Sequence, residues 1–285
     1  MPSIKNKHKP KIIVIVGPTS SGKSDFAVKL AKKIGGEIVS ADSRQVYKGL
    51  DLASGKITKK EMCGIPHYML DIVSPKKVFT VSDFQKIAYK KIDDILARGK
   101  IPIICGGTGF YVQSIVDGII LPKVPENKLL RKKLEKMPLE RLQKKLQKID
   151  AERFLEIDKK NKLRLIRAIE IVTFLGKVPK IKSSPKYRVE QIGLFLPKKK
   201  LDQKIKLRLN QRLKSGMISE IKKLHTSGVS WKRLEMLGLE CRYVSLFLQG
   251  KISRTEMTSE LQNKICQYAK RQMTWFSKDK RIVWI

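Results

Sequence analysis

Gly17-Pro-Thr-Ser-Ser-Gly-Lys-Ser24 is the segment whose residue types and spacing carry the most specific chemistry. It fits G-x-x-x-x-G-K-[ST] between a short apolar run and a helical pattern, the context a phosphate-binding loop requires. Gly17, Pro18, Thr19, Ser20, Ser21 and Gly22 form a turn whose backbone N–H groups, all but that of Pro18, which has none, can face phosphate oxygens. The helix start adds a partial positive charge, Lys23 a full one, and Ser24 a hydroxyl for Mg²⁺. A phosphate-bearing ligand follows. ATP hydrolysis does not, because such hydrolases usually hold magnesium with an Asp at the end of another apolar strand. Here the best strand, Ile101 to Cys105, runs into Gly106-Gly-Thr-Gly109, which offers a second turn and the Thr108 hydroxyl but no carboxylate. Thr108 reads equally well as a turn residue bonding its own backbone. Asp42, within Ser40-Ala-Asp-Ser-Arg-Gln-Val-Tyr47, is either a turn or helix-cap Asp or a general base beside the phosphates.

The elements that must position these groups are readable. Lys11 to Val16 is a β-branched run ended by glycine and proline, a buried strand. Phe26, Leu30 and Ile34 then repeat at helical spacing until Gly35-Gly36. Glu37 to Ser40 reads as a second strand, 82–98 as an amphipathic helix, and 101–105 as a third strand. Strand, glycine-rich turn and helix in alternation predict an α/β fold with a P-loop parallel-sheet core. After Leu121-Pro122 the chain becomes rich in Leu, Lys and Glu at helical spacing, with breaks at Pro138 and Asp150. Three parts are expected: a catalytic core over 1–121 and 189–285, a basic helical insertion domain over 122–188, and a helical C-terminal part of that core. Gln191 to Leu196 reads as a returning strand, with helices from about Leu201 to the end.

Lys+Arg 62 against Asp+Glu 26 leaves a net charge of +36 in 285 residues. Such an excess calls for a polyanionic partner, nucleic acid before an anionic membrane, unless it is only a lysine bias on solvated helix faces. Residues 122–188 hold 21 Lys+Arg against 8 Asp+Glu, nearly twice the charge density of the rest. No apolar stretch approaches the roughly 20 residues of a membrane span, and Ile12 to Val16 is too short for a signal-peptide core. Cys63, Cys105, Cys241 and Cys266, like His8, His67 and His225, are scattered. Zinc-finger and disulfide-scaffold readings fail on that spacing, and a reduced, cytoplasmic protein is expected.

Taken together, the motifs resemble those of the tRNA dimethylallyltransferases, also called tRNA isopentenyltransferases. GPTSSGKS at 17–24, SADSRQVY at 40–47, GIPHYMLDIVSP at 64–75, GGTGFY at 106–111, RLIRAIEI at 164–171 and AKRQMTWF at 269–276 occur in family order along almost the whole chain. The resemblance implies transfer of a dimethylallyl group from its diphosphate to N6 of adenosine-37, beside the anticodon, in tRNAs reading codons that start with U. It implies that the P-loop holds the prenyl diphosphate with Mg²⁺, which accounts for the missing carboxylate. Asp42 would act as base on the adenine amine, with Thr108 beside the reacting centre. Asp42, Ser43, Arg44 and Gln45 would line the nucleotide pocket, and Arg131, Leu163, Arg164, Leu165, Ile166 and Arg167 would contact the anticodon stem-loop. Leu237-Gly-Leu-Glu-Cys-Arg-Tyr243 departs from the family pattern, and only Arg242 is carried over there. Arg271 reads as packing or diphosphate contact, and His67 as structural. The family expectation is a monomer, and no C-terminal extension such as a zinc finger is expected in this chain.

Two other readings stay open on the residues alone. Prenyl transfer to a free adenine nucleotide has no need of the basic insert. A P-loop nucleotide kinase or a nonenzymatic RNA binder leaves Asp42, Thr108 and a full P-loop without a joint purpose.

Overall fold

The structure is a computed structural model that describes residues 9–285, so His8 lies outside the described residues. In chain order its first half runs β1 (Lys11–Val16), α1 (Lys23–Ile34), β2 (Gly36–Ser40), α2 (Lys59–Met62), β3 (His67–Tyr68), α3 (Val81–Ala97), β4 (Ile101–Gly106) and α4 (Gly109–Val116). The insert follows with β5 (Ile119–Ile120), α5 (Lys128–Glu135), α6 (Leu139–Ile149), α7 (Ala151–Glu156), α8 (Lys162–Leu175) and β6 (Lys182–Ser183). The chain then continues through β7 (Arg188–Gly193), α9 (Lys198–Lys214), α10 (Met217–Thr226), α11 (Trp231–Leu237), α12 (Leu239–Leu248), α13 (Arg254–Phe276) and β8 (Ile282–Trp284).

Six parallel strands in the order β3-β2-β4-β1-β7-β8 form the main sheet. Both of its faces are covered, so β1 is apolar from Ile12 to Val16 and not alternating. Ile12, Val14 and Val16 pack with Phe84, Ile92 and Ile115, while Ile13 and Ile15 pack with Ala27, Val28 and Ala31. The register decides where the chemistry collects. Val16 pairs with Gly106, and Ser40 with Cys105. The loops after β1, β2 and β4 therefore leave the same sheet edge at the same level, with β4 seated between the other two.

Three expectations need correction. Helices do not run to the end of the chain: Ile282–Trp284 is a strand pairing with β7. A three-residue strand carries almost no periodicity of its own, and its partner strand is distant in sequence. Gln191 and Arg281 set its approach by bonding the Asp279 carboxylate, at 3.0 Å and 2.7 Å. The returning strand begins at Arg188 and ends at Gly193, so Leu194 to Leu196 lie beyond it. The insert spans Ile119–Ser184 and not 122–188. Ile119 pairs with Ser183 and Ile120 with Lys182, which draws both stalks into the insert, whereas Arg188 already belongs to the sheet.

The core unit has a second apolar cluster among its C-terminal helices, built from residues such as Ile205, Leu209, Ile221, Leu234, Val244 and Leu261 together with Val46 and Leu50. The insert, taken by itself, closes over Leu134, Leu142, Leu146, Leu165, Ile169 and Val172. Its breaks act as caps: Pro138 precedes α6, and Asp150 accepts the Arg153 N–H at 2.9 Å while its other oxygen accepts the Val178 N–H at 2.8 Å.

Gly106 is the tightest point of the sheet edge. A Cβ there would lie 2.2 Å from the Ala41 carbonyl oxygen and 2.8 Å from the Ala41 Cα, both backbone atoms that cannot rotate away. Gly106→Ala should therefore cost about 3 kcal/mol of stability. Urea denaturation checks this, and a midpoint equal to wild type would show that the two loops separate freely.

Candidate active site

The loops after β1, β2 and β4 converge at the carboxyl end of these strands and are tied together by hydrogen bonds. The loop between β1 and α1 turns on the Pro18 carbonyl, which accepts the Ser21 N–H at 3.3 Å and the Lys23 ammonium at 3.1 Å. Ser20 takes φ 63° and Gly22 φ 92°, the left-handed turns that direct successive N–H groups to one side. Ser21 Oγ is buried with no hydrogen-bond partner among the described residues. A buried hydroxyl without a partner is costly, and Ser21 Oγ sits on the Gly17 side of the loop, outside the lining of the cleft. Lys23 sits low in the cleft. Desolvation, the larger influence, holds its pKa below the ordinary lysine value, and the Cys105 and Asp42 charges act the other way. A bound diphosphate would supply the missing counter-charge.

The Thr19 amide is committed elsewhere, since its N–H donates to Gln272 Oε1 at 2.8 Å. Thr19 can thus offer a ligand its hydroxyl and not its N–H. Thr19, Lys23 and Ser24 line a cleft of about 280 Å³, and so do Asp42, Ser43, Arg44, Gln45 and Arg242.

Asp42 is a turn residue as well as a cleft residue. Its Oδ1 accepts the N–H groups of Arg44 at 2.8 Å and Gln45 at 3.4 Å. Both bonds use one oxygen, and Oδ2 is the oxygen left for a ligand. Thr108 does not bond its own backbone. Its Oγ1 accepts the Ser43 N–H at 3.0 Å and donates to Ser43 Oγ at 3.3 Å, which ties the β4 turn to the Asp42 loop. Gln45 accepts from Ser40 Oγ at 3.0 Å. Arg44 reaches the Met236 carbonyl at 3.3 Å, and Arg242 the Glu235 carbonyl at 3.2 Å.

The C-terminal helices supply cleft residues that sequence reasoning passed over: Arg208, Tyr268 and Gln272. Burial first, and then the Asp42 charge, push the Tyr268 phenol up to about 12, so it remains a neutral donor. Arg271 stacks over that ring at 5.7 Å and also faces the cleft. Burial pushes the Cys105 thiol up to about 11, which removes it as a nucleophile at neutral pH. A signal for Gln272 was present. Met257, Leu261, Ile265, Ala269, Gln272 and Phe276 form the buried stripe of α13, and a Gln on such a stripe must find polar partners. His67 lies on the short edge strand β3 with its ring nitrogen 2.8 Å from the Ile65 carbonyl.

In the insert, the expected RNA-contacting residues divide. Leu165 and Ile166 are core residues whose side chains fall on the inner side of α8. Leu163 is 67% exposed and Arg164 is also exposed. Arg131 and Arg167 share one partner, the buried Glu170. Arg131 bonds it twice, at 2.9 Å and 2.7 Å, and Arg167 bonds both Glu170 and the Val124 carbonyl. Desolvation favours protonation of the Glu170 carboxyl, but the bonds from Arg131, Asn127 and Arg167 hold its pKa below the usual carboxylate value.

Among the described residues no group of three or more His, Cys, Asp or Glu could hold a metal ion. The Ser24 hydroxyl and Asp42 carboxylate share the cleft, a donor set that fits Mg²⁺ only when phosphate oxygens complete it. Also among the described residues, no helix is long and apolar enough to cross a membrane.

The profile of the family described as IPP transferase matches residues 45–279. The chain is 45% identical over 282 residues to tRNA dimethylallyltransferase 2 of Treponema denticola, covering 97% of this chain and 94% of that one. It is 44% identical to tRNA dimethylallyltransferase 1 of Syntrophus aciditrophicus, with 96% and 93% covered. The solved tRNA isopentenylpyrophosphate transferase of Bacillus halodurans superposes with a TM-score of 0.74 at 35% identity, over 97% of this chain and 90% of that one. A eukaryotic dimethylallyltransferase solved acting on tRNA gives 0.79 at 29% identity, over 94% and 70%. A phosphate cradle, a carboxylate and the Thr108 turn at one sheet edge, with relatives matching along nearly the whole chain, place this protein in the IPP transferase family.

Proposed function

We propose that the chain transfers a dimethylallyl group from dimethylallyl diphosphate to N6 of adenosine-37 in tRNAs reading UNN codons, acting as a monomer in the cytoplasm. The observation that carries this reading is the cleft itself. It joins a phosphate cradle to a carboxylate that has one oxygen free and lies on the neighbouring loop. The names of the relatives and of the solved structures support the same reaction and substrate.

The chemistry follows from the residues. Loop amides and Lys23 hold the donor diphosphate and stabilise the charge that grows as its C–O bond breaks. The adenine amine, a weak nucleophile, forms the new N–C bond and loses a proton to Asp42 Oδ2. Diphosphate leaves with the electron pair. Mg²⁺, held by the Ser24 hydroxyl with phosphate oxygens, would lower the charge on that leaving group. The target base must leave the anticodon-loop stack to enter the cleft. Arg164 and Leu163 on α8 give the insert an exposed cation and an apolar contact for the anticodon arm, and Arg131 and Arg167 add positive charge beside them.

The direct test incubates the chain with undermodified tRNA and dimethylallyl diphosphate, followed by nucleoside mass analysis. Prenylated adenosine is expected. ATP consumption without it would make the protein a nucleotide kinase or hydrolase.

Asp42→Asn keeps the turn acceptor but cannot take a proton, so single-turnover rate should fall by about 10²–10⁴ with unchanged thermal stability. Near-wild-type turnover in a stable variant would remove Asp42 as the base. Lys23→Ala should lower activity by about 10²-fold or more while tRNA binding persists. Loss of tRNA binding with normal turnover at saturating RNA would move the donor elsewhere.

Arg164→Ala should raise KM for tRNA and reduce the log–log salt slope of binding by about 0.7–0.9. Arg167→Ala should do the same with an added loss of insert stability, because its head is built into the Glu170 cluster. Salt-dependent binding isotherms check both, and unchanged slopes would free α8 from an RNA role.

A further inference from the structure

Gln272 belongs to the buried stripe of α13 and is 6% exposed, yet it edges the cleft. Its two amide atoms are used on two different loops. Oε1 accepts the Thr19 N–H of the phosphate-binding loop at 2.8 Å, and Nε2 donates to the Gly107 carbonyl at 2.8 Å. Those partners lie 253 and 165 residues away in sequence. The approach is close: a Cβ on Gly107 would come within 2.2 Å of Nε2.

The bonds do not stop there. Gly107 is followed by Thr108, whose hydroxyl holds Ser43, and the next residues are held by Asp42. Three hydrogen bonds, linked by the Gly107–Thr108 and Asp42–Ser43 peptide bonds, thus join the phosphate cradle to the candidate base through Gln272. We propose that Gln272 is a positioning residue, whose side-chain amide fixes the spacing between the phosphate-binding loop and the Gly107–Thr108 turn. It thereby fixes the spacing between the leaving diphosphate and the amine held at Asp42. This rests on the prenyl-transfer reading given above.

The side-chain type suits the task. A bridge between an N–H and a C=O needs an acceptor and a donor at one end of a side chain, which an amide provides. A carboxylate has only acceptors and would face the Gly107 oxygen with like partial charge. A thioether of similar length makes neither bond. In-line displacement punishes small errors of placement, so a strut that moves one loop slightly acts on rate more than on affinity.

The experiment compares wild type with Gln272→Met and Gln272→Glu. Three quantities are measured: single-turnover rate at saturating tRNA and dimethylallyl diphosphate, tRNA affinity, and calorimetric affinity for inorganic pyrophosphate with Mg²⁺. Hydrogen exchange at the Thr19 amide reads the first bond directly. For Gln272→Met we expect faster Thr19 exchange, a rate lower by about 10–100-fold, pyrophosphate binding weaker by about tenfold, and tRNA affinity within about twofold. Gln272→Glu should keep Thr19 protected and still lose rate, because only the Gly107 bond is gone.

A folded Gln272→Met protein with wild-type rate and wild-type pyrophosphate affinity overturns the proposal. So does a rate loss matched by an equal loss of tRNA affinity. If Gln272→Met fails to fold, Gln272→Glu decides by the same readouts. A wild-type chain that binds pyrophosphate but prenylates no tRNA sinks the prenyl-transfer reading. The strut is then judged on pyrophosphate affinity and Thr19 exchange, and unchanged values overturn it.

Discussion

Parallel pairing of β4 between β1 and β2 is the constraint from which the site follows. Parallel strands end at one side of the sheet, and their register sets how far each loop stands from its neighbour. With Val16 opposite Gly106 and Ser40 opposite Cys105, the phosphate loop, the Asp42 turn and the Thr108 turn begin almost level. A slip of one residue would reverse the faces of Ile12 to Val16, which are divided between two apolar clusters. Burial on both sides of β1 therefore holds the catalytic geometry as a by-product of holding the core.

Polar struts then convert that level edge into a cleft. Glu220 accepts three successive N–H groups, of Asp51, Leu52 and Ala53, and Arg212 bonds the Leu52 and Ala53 carbonyls. The loop carrying Ala53, Ser54 and Gly55 is anchored to the C-terminal apolar cluster through Leu50 and Ala53. Its backbone groups are satisfied by charged side chains from helices far along the chain. Arg208 and Gln45 both donate to the Gly55 carbonyl and complete that wall. Charge-assisted bonds of this kind are stronger than neutral ones, which suits a wall that must not yield when an anion enters.

The insert follows another logic. It has its own leucine-rich core and its own ionic centre at Glu170, where two guanidinium groups and one backbone N–H meet a single carboxylate. Buried charge needs such complete pairing. The consequence is a division of labour on α8, with Leu165 and Ile166 serving the core while Leu163 and Arg164 remain exposed.

The sequence alone determined the local features: the phosphate loop, the two neighbouring turns, the breaks at Pro138 and Asp150, and the basic insert. Each depends on residues close together in the chain, where glycine placement, capping and apolar spacing act directly. Tertiary structure decided what depends on distant partners. It showed that Leu165 and Ile166 face inward, because helical periodicity allows a face but only packing chooses which one is covered. It made Ile282–Trp284 a strand, because three residues acquire that state only from β7. It gave Gln272 its meaning. Nothing within several residues of that glutamine needs a bridge; the need arises when Thr19 and Gly107, 88 residues apart in sequence, are brought by the sheet register to within one side chain of each other.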